Sequence, residues 1–328
     1  MSPAQGAAEP LQATEPLQAV KQDESSADHH AMLDKVMAYT RSHWPSEVKR
    51  EWQVELSEYP AILARVLKDF TKDASRTRHF VRIAGLSGSG KTSQILPAAE
   101  AYFEALGLRP VLIAARRFVE YHPHYAEILA HYGEANLRRH TDEFATIMLF
   151  LTIHALTRAG YDIILDVALL SPEIEAILLR LLGLATSANP SKGAPSIIPK
   201  NPANNAESRA PSYAALYLMV ATSPAVTEHF LGARGWRHTE ATEQEFIRAA
   251  AEALDFYSQA APNLPIILWS VYDRLPIYDG PISGCLDIFK DYSTRTTLPA
   301  TDDALRRKAK IDYLTTQEAA ESLEQSRH

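Results

Sequence analysis

The residues best suited to chemistry are Gly85, Leu86, Ser87, Gly88, Ser89, Gly90, Lys91, Thr92 and Ser93, which run consecutively. They complete the G-x-x-x-x-G-K-[ST] spacing of a phosphate-binding loop. Glycines leave room for backbone N–H groups to close around phosphate oxygens, and the N-terminus of a following helix adds its own donors. Lys91 has the reach to meet the β- and γ-phosphates, and the Thr92 hydroxyl stands where such loops ligate Mg2+. The chemistry implied is binding of ATP with Mg2+. For that, the loop must lie between a strand and a helix. Phe80 to Ala84 reads as a short apolar strand entering it, and Ser93 to Leu106 as a helix leaving it, ended at Gly107.

Asp166 closes a second apolar run, Ile163-Ile164-Leu165. P-loop proteins often hold an acid there for Mg2+ or its water shell, and a strand-end aspartate equally satisfies loop N–H groups. Thr92 and Asp166 are therefore the candidate metal ligands, and Lys91 and Asp166 the first candidates for catalysis. No Glu follows Asp166, as an ATP-driven motor would need to activate water, and no D-x-x-G follows the loop, as a GTPase switch would need. Phosphoryl transfer to a bound small molecule is the P-loop activity that fits best.

The elements that must position these residues alternate. Pro110 to Ala114 reads as a second strand, His124 to Ala159 as mostly helix, Ile163 to Leu165 as a third strand, and Glu173 to Leu184 as a helix. Leu216 to Val220 is a further strand, helices follow around Pro224 to Leu231 and Glu243 to Gln259, and Ile266 to Val271 reads as the last strand. The order predicts an α/β P-loop kinase-like fold, a parallel sheet flanked by helices with right-handed crossovers. Upstream, apolar residues at helical spacing between Ala31 and Thr71, broken at Trp44-Pro45 and Tyr59-Pro60, predict a helical N-terminal extension packed on the sheet. The expected organisation is a disordered tail at 1–28, this extension at 29–75, a kinase domain at 76–300 with a flexible insertion at 186–212, and a C-terminal helix or tail at 301–328. The tail and the insertion are rich in Pro, Ser, Ala, Gln and Asn, without the periodicity needed to bury a core.

Composition narrows the partners. The 328 residues carry 33 Lys and Arg against 40 Asp and Glu, a net charge of −7, so there is no broad cationic field for nucleic acid or an anionic membrane. Cys285 is the single cysteine, which rules out an intramolecular disulfide and a cysteine-based zinc site and fits a reducing compartment. No apolar run is long enough to span a membrane, and the N-terminus lacks the pattern of a secretory signal, so a cytoplasmic location is expected; delivery by a specialised secretion system would leave no such mark. His122, His124, His131 and His140 are close in sequence, but spacing alone does not converge metal ligands, and they read as loop and helix-surface histidines.

Gly85 to Ser93, then Phe118-Val119-Glu120-Tyr121-His122-Pro123-His124-Tyr125, the run to His140, and Ala159-Gly160-Tyr161-Asp162-Ile163-Ile164-Leu165-Asp166 together resemble the zeta-toxin family of bacterial toxin–antitoxin systems. The resemblance extends over about Phe80 to Asp279. It implies a small kinase that uses ATP and Mg2+ to phosphorylate uridine-diphosphate N-acetylglucosamine or another nucleotide-like metabolite, and a partner antitoxin that blocks the ATP site with a helix. It assigns Lys91 and Thr92 their loop roles and puts Asp166 where the family has an acidic substrate-site residue. The segment Leu231 to His238 resembles the family's lid, with Arg234 first and Arg237 second as the arginines offered to the transferring phosphate.

Two positions depart from that pattern. The family's catalytic aspartate aligns with Arg116, which stays protonated and cannot act as a base. A second acidic substrate contact aligns with Phe150. These departures set a phosphotransferase acting on a nucleotide or nucleotide sugar beside an ATP-binding pseudoenzyme with a regulatory or interaction role. A third possibility is that residues 31–71 act in cis as an antitoxin-like helix.

Overall fold

The computed structural model describes residues 34, 36–38, 40–42, 48–85, 89, 91–167, 172–184, 212–221, 223, 240–270 and 275–294. The expectations for the tail at 1–28, the insertion at 186–212 apart from Ser212, a helix at 224–231 and the segment 301–328 fall outside these residues.

Among the described residues, six strands form one sheet in the order β2-β3-β1-β4-β5-β6: β1 is His79–Ala84, β2 Val111–Ala114, β3 Ile163–Asp166, β4 Ala214–Ala221, β5 Pro265–Ser270 and β6 Leu275–Pro281. The first five run parallel, as the alternating pattern requires, and β6 returns antiparallel along β5. The sheet is therefore mixed, and β5 is not the last strand. Pro276, Gly280 and Pro281 disguise β6 as turn sequence; an edge strand tolerates them because its outer N–H groups need no ladder partner.

Residues 34, 36–38 and 40–42 are helical, and the crossovers and outer layers are carried by α1 Tyr59–Phe70, α2 Leu96–Ala105, α3 Tyr125–Tyr132, α4 Glu134–Arg158, α5 Pro172–Leu181, α6 Glu240–Ala260 and α7 Leu286–Ser293. On one face of the sheet Val81, Ile83, Ile164, Leu218 and Trp269 pack against Leu96, Ala99 and Phe103 of α2. On the other, Phe80, Ile163, Leu165 and Tyr217 meet α4, α5, α6 and α7. Gly133, at φ 74°, separates α3 from α4 in a conformation that glycine reaches without strain.

The upstream segment differs in detail from its sequence reading. Tyr59-Pro60 begins α1 instead of breaking a helix, because proline is tolerated in the first turn, where its missing N–H has no intrahelical partner. Between 48 and 58 there is only a single 3-10 turn, Arg50–Trp52, and Leu56 is 58% exposed, so the amphipathic helix expected through Val48, Trp52 and Leu56 does not form. Tyr59, Ile62, Val66 and Leu67 recur at helical spacing and join the same apolar cluster as Phe80 and Ile163.

Asp162, just before β3, fastens the chain that enters β1. It accepts hydrogen bonds from Ser75 Oγ at 2.5 Å, from the backbone N–H of His79 at 2.7 Å and from Thr77 Oγ1 at 2.9 Å. Burial alone would raise the carboxyl pKa, but His79, Ser75 and Thr77 outweigh it and hold it at about 2.

Candidate functional site

Parallel pairing in register brings three strand ends to one edge. Ile83 of β1 lies opposite Asp166 of β3, which lies opposite Ala114 of β2. The residues immediately beyond these ends, Gly85 after β1 and Ala115 and Arg116 after β2, therefore gather around Asp166. This is the crevice outside the carboxyl ends of the strands, where open α/β sheets bind their ligands.

Gly85 has φ 151°, and a Cβ there would lie 2.9 Å from Cβ of Val220, so strand β4 leaves room only for glycine. Lys91 Nζ donates to the Gly85 carbonyl at 2.7 Å. Burial pushes the Lys91 ammonium down to about 8; Asp166 opposes that shift and Arg116 adds to it. Ser89 is buried, and its Oγ has no hydrogen-bond partner among the described residues. Such a buried hydroxyl suits a loop that closes on oxyanions, since burial without a partner is costly. The chain leaves the loop through a π-helical turn, Lys91–Ile95, before α2 begins. Pro97 has no N–H to return to the carbonyl of Ser93, so the α-helical ladder starts only after that wider turn.

Asp166 is 8% exposed at the end of β3. Among the described residues it pairs with Arg116, whose Nη2 lies 3.6 Å from Asp166 Oδ2 while Nη1 donates to Thr92 Oγ1 at 3.2 Å. Arg116 thus spans the two residues expected to hold Mg2+, and its guanidinium takes the place between their oxygens. A divalent ion does not fit that position beside it, because two cations would share one carboxylate at contact distance. In this arrangement Thr92 and Asp166 share Arg116 as a partner.

The 3-10 turn Ala115–Tyr121 that carries Arg116 is fixed from behind. Phe118 is fully buried and packs on Phe70 of α1 at 5.5 Å, Arg117 stacks over the same Phe70 ring, and Tyr121 donates to Asp69 Oδ2 at 2.8 Å. Arg65 of α1 donates to the Tyr121 carbonyl at 3.0 Å. The upstream helix therefore supports the segment that aims Arg116.

Of the other sequence candidates, Ser87, Gly88, Gly90, Arg234 and Arg237 lie outside the described residues, as does the side chain of Ser93. Phe150 is buried in the main core. His122 and His140 are buried and not on the surface as expected. His122 meets Phe144 edge-on at 4.7 Å, and burial together with His124 pushes its pKa down to about 4, so it stays neutral. His140 stacks on Tyr132 at 3.5 Å. Among the described residues, no three His, Cys, Asp or Glu converge into a metal site. A cavity of about 300 Å³ lined by Tyr59, His122, His140, Glu143 and Phe144 contains no residue of the glycine loop and neither Arg116 nor Asp166.

Sequence reasoning missed two groupings. One is the Arg116 bridge itself. The other is a buried network in which Arg82 of β1 pairs with Glu175 of α5, with Nη2 to Oε1 at 2.7 Å, and Tyr257 of α6 donates to the same carboxylate. The available signal was a charge inside an apolar run, Phe80-Val81-Arg82-Ile83 and Ile174-Glu175-Ala176-Ile177.

The fold and the glycine-loop crevice define a P-loop kinase-like α/β protein. Residues 64–184 match the zeta-toxin family model, which bears out the resemblance over that span. The matched segment runs from within α1 to the end of α5 and includes Lys91, Thr92, Arg116 and Asp166. Among solved structures, the chain is similar to one reported for the PezAT chromosomal toxin–antitoxin system of Streptococcus pneumoniae, with TM-score 0.55, 19% identity, and 84% of this chain and 100% of that chain covered. That likeness concerns the fold. No functionally curated protein matches the chain.

Proposed function

We propose that the chain binds ATP on Gly85 to Ser93 and acts as a zeta-toxin-like phosphotransferase toward a hydroxyl of a nucleotide-linked small molecule, with UDP-N-acetylglucosamine the first acceptor to test. The observation that carries this reading is the convergence of Gly85, Lys91, Thr92 and Asp166 on one crevice within the segment matched by the family model. In the reaction, the acceptor oxygen bonds to the γ-phosphorus as the bond to the β–γ bridging oxygen breaks. ADP leaves, and the hydroxyl proton passes to Asp166. Lys91 holds the β- and γ-phosphates, and Arg234 and Arg237 neutralise charge on the transferring group. Without a dedicated base at position 116, transfer is slower by about 10²- to 10⁴-fold than with one.

The contact between Arg116 and Asp166 favours a second reading, an ATP-binding pseudoenzyme, because it engages the acid at the end of β3. Incubation of the full chain with labelled ATP and a panel of uridine sugar nucleotides, nicotinamide dinucleotides and nucleosides distinguishes the two. Transfer that disappears in Lys91→Ala supports the kinase. ATP binding without transfer to any member of the panel supports the pseudoenzyme, the more so if Arg116→Asp creates activity.

A bacterial cytoplasmic setting and a helical antitoxin in trans belong to the same proposal, supported by the toxin–antitoxin system named for the similar structure. Regulation in cis would act through α1 on the turn that bears Arg116, given the contacts of Asp69, Phe70 and Arg65. No described helix is long and apolar enough to cross a membrane.

A further inference from the structure

Arg116 occupies the position from which a divalent cation would serve this loop. One nitrogen of its guanidinium donates to Thr92 Oγ1 at 3.2 Å, and another lies 3.6 Å from Asp166 Oδ2. A Mg2+ ion bound by the same two oxygens would need both within about 2.1 Å and could not share the space with the guanidinium. The side chain is 53% exposed, so the fork engages Thr92 and Asp166 on one side and remains open on the other. Its root does not wander: Phe118 is buried, Arg117 is stacked on Phe70, and Tyr121 is tied to Asp69.

The charge balance points the same way. Among the described residues of the site, Lys91 and Arg116 against Asp166 leave one net positive charge without any metal. With an aspartate at position 116 these three residues would carry one net negative charge, which one divalent ion would return to one positive. Arginine is protonated at every accessible pH and presents parallel N–H donors that match phosphate oxygens, so it supplies both the charge and the geometry for a polyphosphate.

We propose that Arg116 takes the place of the divalent cation, so that this crevice accepts a metal-free nucleoside triphosphate, with the guanidinium bridging Thr92, Asp166 and the phosphates. The inference rests on the ATP reading of the loop and specifies the ionic form of the ligand. It assigns Arg116 a positive role in place of a lost one.

The test is calorimetric titration of the full chain with ATP in EDTA and in excess Mg2+, for the wild type, Arg116→Gln and Arg116→Asp, with urea midpoints to confirm that each variant is folded. Wild-type affinity should agree within about threefold between the two media, and Arg116→Gln should bind more weakly in EDTA. Arg116→Asp should lose at least about tenfold in EDTA and regain it in Mg2+. Wild-type binding that weakens tenfold or more on removal of Mg2+, with Arg116→Gln responding identically, overturns the inference and leaves the ATP site standing. No wild-type binding in either medium overturns the ATP reading, and the inference falls with it.

Discussion

Two arginine–carboxylate pairs divide the molecule into a sealed region and an open one. In the sealed region, Arg82 and Glu175 are fully buried between β1 and α5, meet through two contacts, and share the carboxylate with Tyr257, which in turn accepts a hydrogen bond from Tyr217 at 3.2 Å. Burial alone would lower the Arg82 pKa, but the Glu175 carboxylate outweighs it and leaves it raised. In the open region, Arg116 faces solvent over half its surface and touches Asp166 at 3.6 Å. The two pairs therefore do different work: the first is closed off from solvent, whereas the second leaves donors for something that arrives. A buried pair is costly to break, because one charge remains without compensation, while an exposed pair contributes little to stability.

Breaking the sealed pair should produce the largest effect. Glu175→Gln leaves Arg82 buried without its counter-charge and should cost about 3–5 kcal/mol in urea denaturation. Replacing both partners by Arg82→Met with Glu175→Leu should cost clearly less than the two single substitutions added together, since no unpaired charge is left.

Asp162 offers the next largest effect and one with a pH signature. Its folded pKa of about 2 lies below the ordinary carboxyl value, so its stabilisation is complete above about pH 4 and is lost as the pH falls toward 2. Asp162→Asn should lose up to about 2 kcal/mol at pH 7, and the gap from wild type should close on acidification. A gap that persists unchanged at pH 2 would contradict the assignment.

In the open region the effects should move from stability to ligand. Lys91→Ala should weaken ATP binding by at least about tenfold while leaving the urea midpoint no lower than that of the wild type. Arg116→Gln should change stability by no more than about 0.5 kcal/mol. A loss there as large as that of Glu175→Gln would erase the distinction between the two regions.

The sequence exposed the open region unevenly. The glycine loop was legible because its residues are contiguous and each has a separate task. The strands themselves were legible wherever apolar runs alternated with helical spacing, and illegible at β6, where Pro276, Gly280 and Pro281 imitate a turn. Arg116 could be recognised as a departure from the family pattern, but not as the partner of Thr92 and Asp166. That meeting depends on the register that sets Ala114 opposite Asp166, a tertiary fact with no local mark. The Arg82–Glu175 pair was hidden for the same reason, and His122 and His140 were misread because short-range spacing does not report that His122 packs on Phe144 of α4 or that His140 of α4 stacks on Tyr132 of α3.

The most direct measurement is calorimetric titration of ATP into the full chain and into Lys91→Ala. The account predicts saturable one-to-one binding by the wild type that is lost or weakened at least about tenfold by the substitution. Equal affinity in the two proteins, or no binding by the wild type at millimolar ATP, would contradict it.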